Sequence, residues 1–210
     1  MTRFQQMLSR FYELAQPVPE FMNYLRKHQI DLAEVGTSVG IFGVALCRSF
    51  EYPDGSLGFE FSRHGIPHAV IEALYFRQMD GVRETYPADL VAWPLNDRFS
   101  FATALGPHEG AELLGPLSAV QRGGHPLRIF RTPLNWMKNG CEGSVLLKHG
   151  AVYWLNKAGG PFIAEDFEHA VELRELVGHK HQILVPSFKR IAACTLLIIP
   201  PKATSKSRPK

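Results

Sequence analysis

Hydrophobic positions along this chain change period twice, and each change marks a new kind of element. Phe4, Met7, Leu8, Phe11, Leu14 and Ala15 recur at the three-to-four spacing of an amphipathic helix. Thr2 is placed to cap that helix, and Pro17 and Pro19 end it. Pro19 then opens a second helix with Phe21, Tyr24, Leu25 and His28 on one face, so residues 1–36 predict an N-terminal helical hairpin. From Val39 the run VGIFGVALCRSFEY is rich in β-branched and aromatic residues, and the turn PDGS at Pro53–Ser56 leads into LGFEFSR. That pattern predicts a β-hairpin. Further strands are expected at Ala69–Phe76, Asp89–Trp93 and Arg98–Thr103, with a turn at Asp80-Gly81. Their connections are too short for parallel crossovers, so residues 37–106 predict an antiparallel β-meander.

Residues 107–126 are crowded with glycine and proline and read as a connection, either between domains or across one. Beyond it the pattern alternates. A strand is expected at Leu127–Arg131, a short helix at Pro133–Lys138 stopped by Asn139-Gly140, and a strand at Ser144–Leu147. A short element at Ala151–Leu155 follows, then a helix capped by Asp166 that carries Phe167, Ala170, Val171 and Leu173 toward Val177. A strand at Gln182–Val185 and the apolar run Arg190–Ile199 complete a small α/β portion over residues 127–200. Residues 201–210 are a basic tail, KATSKSRPK from Lys202, too polar to offset its own ordering entropy and expected to be disordered. The predicted fold class is therefore α+β: a helical hairpin, a central antiparallel meander and a small α/β portion.

Three blocks carry a resemblance. PADLVAWPL at Pro87–Leu95, FRTPLNWMKNGCEGSVLL at Phe130–Leu147 and IAEDFEHAVELREL at Ile163–Leu176 resemble a group of uncharacterised alphaproteobacterial proteins found in prophage- and plasmid-like gene neighbourhoods. The resemblance implies a bacterial, mobile-element context and no particular activity. The chain departs from that pattern at Lys148, where the group has an acidic residue, and across residues 1–36.

Composition narrows the class. A chain of 210 residues, 45% hydrophobic and 20% charged, matches ordinary globular proteins rather than disordered or fibrous ones. Three cysteines, Cys47, Cys141 and Cys194, at wide spacings argue against a disulfide framework and for a reducing compartment, the cytoplasm by default. The N-terminal stretch has charges within its apolar periodicity and does not read as a secretory signal. The longest apolar stretch, Ile191–Ile199, is about half the length needed to span a bilayer, so no membrane role is expected. A net charge of +3 is small but unevenly placed.

The candidate chemistry lies in four places. His64, His68 and Glu72 have the spacing of a helical metal site, but Gly65 and Pro67 break a helix there, so turn and edge-strand histidines are the simpler account. His179 and His181 have the period of a strand. Cys141, with His125, His149 or His169 as a base, could be a thiol nucleophile, although Glu142 beside it opposes a thiolate. Glu165, Asp166, Glu168 and His169 could bind a divalent metal or act as acid and base; Asp166 as a helix cap, with its neighbours favoured by the helix dipole, is the structural account. In QRGGHPLR, Arg122, Gly123, Gly124, His125 and Arg128 could cradle an anion, yet neither GxxxxGK[ST] nor GxGxxG occurs, and no cofactor is implied. Trp93, Trp136 and Trp154 are available for base stacking or for a core.

These readings lead to one expectation and two alternatives. The expectation is a non-catalytic accessory protein that binds another macromolecule, nucleic acid foremost, through Arg122, Arg128, Arg131, Lys138, Lys202, Lys206, Arg208 and Lys210. Lys189 and Arg190 add to that charge. The first alternative is a metal-dependent enzyme built on Asp166 and His169. The second is a structural or assembly protein that forms homo-oligomers or docks a protein partner through its aromatic residues.

Overall fold

The computed structural model describes residues 1–14, 19–35, 39–79, 82–96, 100–115, 125–186 and 196–198. Its class is α+β, as the sequence predicts. Helix α1 (Arg3–Leu14) starts at a reciprocal cap in which Thr2 N–H donates to Gln5 Oε1 at 2.8 Å and Gln5 N–H donates to Thr2 Oγ1 at 3.2 Å. Helix α2 (Pro19–Lys27) has proline in its first turn, where the missing N–H costs nothing. A short α3 (Leu32–Val35) leads into the strands.

Strands β1 (Phe42–Glu51), β2 (Leu57–Phe61), β3 (Ile66–Met79), β4 (Val82–Pro94) and β5 (Ala102–Thr103) form a closed barrel in the order β1-β2-β5-β4-β3. The β1–β2 hairpin turns at Gly55 (φ 83°), where only glycine is unstrained, and Asp54 Oδ1 accepts from the Ser56 N–H and hydroxyl. Four of the five barrel pairings are antiparallel, as expected. Strand β3 pairs with β1 rather than with β2, which leaves β2 free to meet β5. That closing pair, Gly58 with Thr103, is parallel.

Alternation divides the strand residues between two cores. Ala45, Cys47, Phe59, Phe61, Val70, Leu90, Ala92 and Ala102 fill the barrel, and Phe11 of α1 enters among them. Ala69, Ile71, Ala73, Val91 and Trp93 face outward, where Phe21, Tyr24 and Leu25 of α2 cover them. The two helices thus serve opposite faces of the same wall. Trp93 Nε1 donates to the Tyr24 hydroxyl at 2.8 Å.

The outward core continues into a second sheet. Strands β6 (Leu113–Leu114), β7 (Leu127–Phe130), β8 (Ser144–Leu146), β9 (Phe162–Ile163), β10 (Ile183–Pro186) and β11 (Leu196–Ile198) are ordered β11-β10-β9-β7-β8-β6. The four central strands are parallel, with β6 and β11 antiparallel at the edges. Helix α4 (Pro133–Lys138) joins β7 to β8, α5 (Ala151–Ala158) joins β8 to β9, and α6 (Phe167–Val177) joins β9 to β10. Phe130, Leu134, Trp136 and Val145 share one cluster with Ala69, Ile71 and Trp93, so barrel and sheet are built around a common core.

The glycine- and proline-rich connection is therefore no surface tether in its described part. Ala111, Leu113 and Leu114 are buried and β6 pairs with β8. His179 sits in a 3-10 turn (Gly178–Lys180) with His181 just after it, not on a strand; Gly178 at φ 69° ends α6 and starts that turn. Among the described residues no helix is long and apolar enough to cross a membrane.

Candidate functional site

Among the parallel strands the chain runs from β7 to β8 on one side, then crosses to β9 and β10 on the other. The order reverses between β7 and β9. In open α/β sheets the crevice beyond the carboxyl ends of two such strands is where ligands gather. Arg131 follows β7 directly, and Glu165 and Asp166 follow β9.

These residues do converge. Asp166 caps α6 by accepting the His169 N–H at 2.8 Å, and its other oxygen accepts Arg131 Nη1 at 2.5 Å. The same guanidinium forks onto Glu172, from Nε at 3.2 Å and from Nη2 at 3.1 Å. Glu165 takes the Arg131 N–H at 2.8 Å and the Asn135 side-chain amide at 2.7 Å. His169 is only 4% exposed, and its Nδ1 accepts the Glu165 N–H at 3.1 Å. That bond places the neutral ring's proton on Nε2, which has no protein partner among the described residues. Burial, and then the charge of Arg131, hold the His169 pKa below the ordinary range. The Arg131 hydrogen bond holds that of Asp166 below the carboxylate range.

Chemically, the crevice is already occupied by the chain's own cation. Asp166 and Glu165 have both oxygens engaged, and His169 presents a donor rather than a base. Arg131 is held by two carboxylates instead of standing open to phosphate. Among the described residues no group of three histidine, cysteine or acidic side chains is arranged to hold a metal ion. Glu168 is exposed on the first turn of α6.

The other candidates separate. His64 is exposed in a turn, whereas His68 and Glu72 lie on β3 with different partners. His68 Nδ1 donates to the Ile66 carbonyl at 2.8 Å; Glu72 accepts the Tyr12 hydroxyl at 2.5 Å and the Ile41 N–H at 2.8 Å. Cys141 is buried at φ 60°, and burial pushes its thiol up to about 12, the opposite of a nucleophile's setting. Trp93 and Trp136 belong to the core; Trp154 is half-buried and donates to Glu112. Of the cations expected to contact nucleic acid, Arg122, Lys202, Lys206, Arg208 and Lys210 lie outside the described residues, as do Lys189 and Arg190.

Two expected cations remain accessible. Lys138, at the end of α4, lines a cleft of about 360 Å³ together with Lys27, His28 and Gln29. Arg128 is exposed nearby: its Nη1 donates to Asn139 at 3.1 Å and its guanidinium lies 5.9 Å from the Phe130 ring centre. Lys27 and His28 went unnoticed in the sequence as site residues. The available signal was Arg26-Lys27 closing an amphipathic helix.

No family model, curated protein or solved structure matches this chain.

A second cleft, of about 500 Å³, opens between the β1–β2 turn and the end of β8. Behind its wall Lys148 Nζ meets Asp89 Oδ2 at 2.6 Å, with side-chain exposures of 2% and 0%. Nothing local in the sequence marks this pair, whose members are 59 residues apart in the chain.

Proposed function

We propose that this chain is a non-catalytic bacterial accessory protein that binds nucleic acid through backbone phosphates. The observation that carries the reading is the cleft shared by Lys27 and Lys138. One lysine comes from the N-terminal helices and the other from the second sheet's first crossover, yet both line one cavity with no acidic side chain among the described residues of its lining. Arg128 extends the same charge along the surface through its contact with Asn139. Lysine serves as a point charge for phosphate, and binding of this kind is sequence-tolerant and salt-sensitive. The basic residues from Lys202 onward would add to it. The resemblance to alphaproteobacterial proteins would give the activity a mobile-element setting. An enzyme centred on Asp166 and His169 has weaker support, because the lone pairs it needs are committed within the cluster.

Fluorescence anisotropy with labelled duplex and single-stranded DNA tests the proposal. Three contacts at the cleft and Arg128 predict a slope of log affinity on log salt of roughly −2 to −3. Reversing both lysines, Lys27→Glu with Lys138→Glu, should weaken binding about tenfold or more, while the control Lys180→Glu should not. Absence of binding at low salt, or equal binding by the double variant, would overturn it.

A further inference from the structure

The larger cleft has the size of a small-molecule site and lies where barrel and sheet meet. Leu146, Val152 and Leu176 give it an apolar side, and Leu176 is 40% exposed although α6 has a core for its apolar face.

Its carboxylates are Asp54 and Glu112, and His108 lies close enough to Asp54 to act on it electrostatically. Asp54 commits Oδ1 to Ser56, and Glu112 commits Oε2 to the Trp154 indole. The second oxygen of each accepts no hydrogen bond from another described residue. Gly150 makes room for Glu112: a Cβ at that position would run into the Glu112 carboxylate. Lys148 brings no balancing charge, because its ammonium is held behind the wall by Asp89 and by the Glu109 carbonyl. Among the described residues the remaining titratable side chains of the lining are His108 and His149, which report on occupancy.

We propose that this cleft binds a small organic amine, its apolar body against Leu146, Val152 and Leu176 and its ammonium between Asp54 and Glu112. The ligand is recognised by apolar burial at one end and charge-assisted hydrogen bonds at the other. This assignment is independent of the nucleic-acid reading.

The test uses the full chain with phenethylamine and, as the matched anion, phenylpropionate, followed through the His108 and His149 ring signals by NMR. Phenethylamine should shift both signals saturably and bind about tenfold or more tightly than phenylpropionate. Glu112→Gln and Asp54→Asn should each weaken the amine about fivefold or more. Val152→Trp, which fills the cleft without touching its charges, should abolish the shifts while leaving the rest of the spectrum folded. Equal or tighter binding of phenylpropionate would overturn the proposal. So would unchanged histidine signals at saturating amine, or wild-type affinity in both carboxylate variants.

Discussion

Asp89 of β4 and Lys148, just past β8, form an ion pair sealed between barrel and sheet, 2.6 Å from Oδ2 to Nζ. Asp89 Oδ1 also accepts the N–H groups of Leu90 at 2.9 Å and Leu105 at 3.1 Å. Both charges are thus hydrogen-bonded, which is what makes their burial tolerable. Removing one partner strands the other. Lys148→Met alone and Asp89→Asn alone should each cost about 3 kcal/mol or more, whereas the double variant should recover most of that loss. Urea denaturation of the three variants measures it; additive losses in the double variant would show that the pair is not coupled.

The same pair gives a pH dependence. Burial pushes the Asp89 carboxyl up to about 6, although Lys148 pulls it down. The folded state therefore holds the proton more tightly than the unfolded chain does. This group's contribution is greatest below about pH 4 and declines as the pH rises to about 6. The stability difference between wild type and Asp89→Asn/Lys148→Met should accordingly fall by about 2–3 kcal/mol from pH 4 to pH 7. A flat difference would mean that Asp89 ionises in the ordinary range.

His169 should behave in the opposite sense. Its folded pKa is depressed, so its contribution is complete above the unfolded value of 6.5 and is lost as pH falls below it toward the folded value. Nitrogen-15 NMR should show a neutral ring with the proton on Nε2 at about pH 8. A protonated Nδ1 would contradict the Glu165 contact.

Arg131→Ala should leave unbalanced negative charge in the crevice. Asp166 and Glu172 lose the guanidinium that pairs them, while Glu165, held by the residue-131 backbone N–H and by Asn135, keeps its partners. Because Asp166 and Glu172 are 43% and 57% exposed at the side chain, the stability cost should be modest, about 1 kcal/mol. Urea denaturation of wild type and variant measures the cost, and a loss above about 3 kcal/mol would show that the fork does more than neutralise surface charge.

Phe11 has no exposed surface and enters the barrel among alanines, Cys47 and two further phenylalanines. Phe11→Ala should cost about 3–5 kcal/mol, since the surrounding strands are closed on themselves and have little room to collapse. Chemical denaturation measures this, and a loss below about 1 kcal/mol would show that α1 does not seal the barrel.

Features that depend on near neighbours were legible in the sequence. The Thr2 and Asp166 caps, the Pro53–Ser56 turn, the Asn139-Gly140 stop and the β-branched and aromatic run of β1 all express preferences of near neighbours, and they sufficed for the α+β class. Asp166 and His169 were visible as a pair for the same reason, being one helical turn apart. Their consequence was not visible. Whether Asp166 is a metal ligand or the anchor of Arg131 depends on where β7 places residue 131, and whether Glu172 joins them depends on how α6 crosses the sheet.

The sequence by itself determined the periods, caps and turns, because those are energies of adjacent groups. Tertiary structure alone decided the barrel closure at Gly58 and Thr103, the Asp89–Lys148 pair and the meeting of Lys27 with Lys138. Each joins residues far apart in the chain. What brings them together is the burial of a common apolar core between barrel and sheet, a non-directional force that positions whole elements and leaves no mark in the local pattern of any one of them.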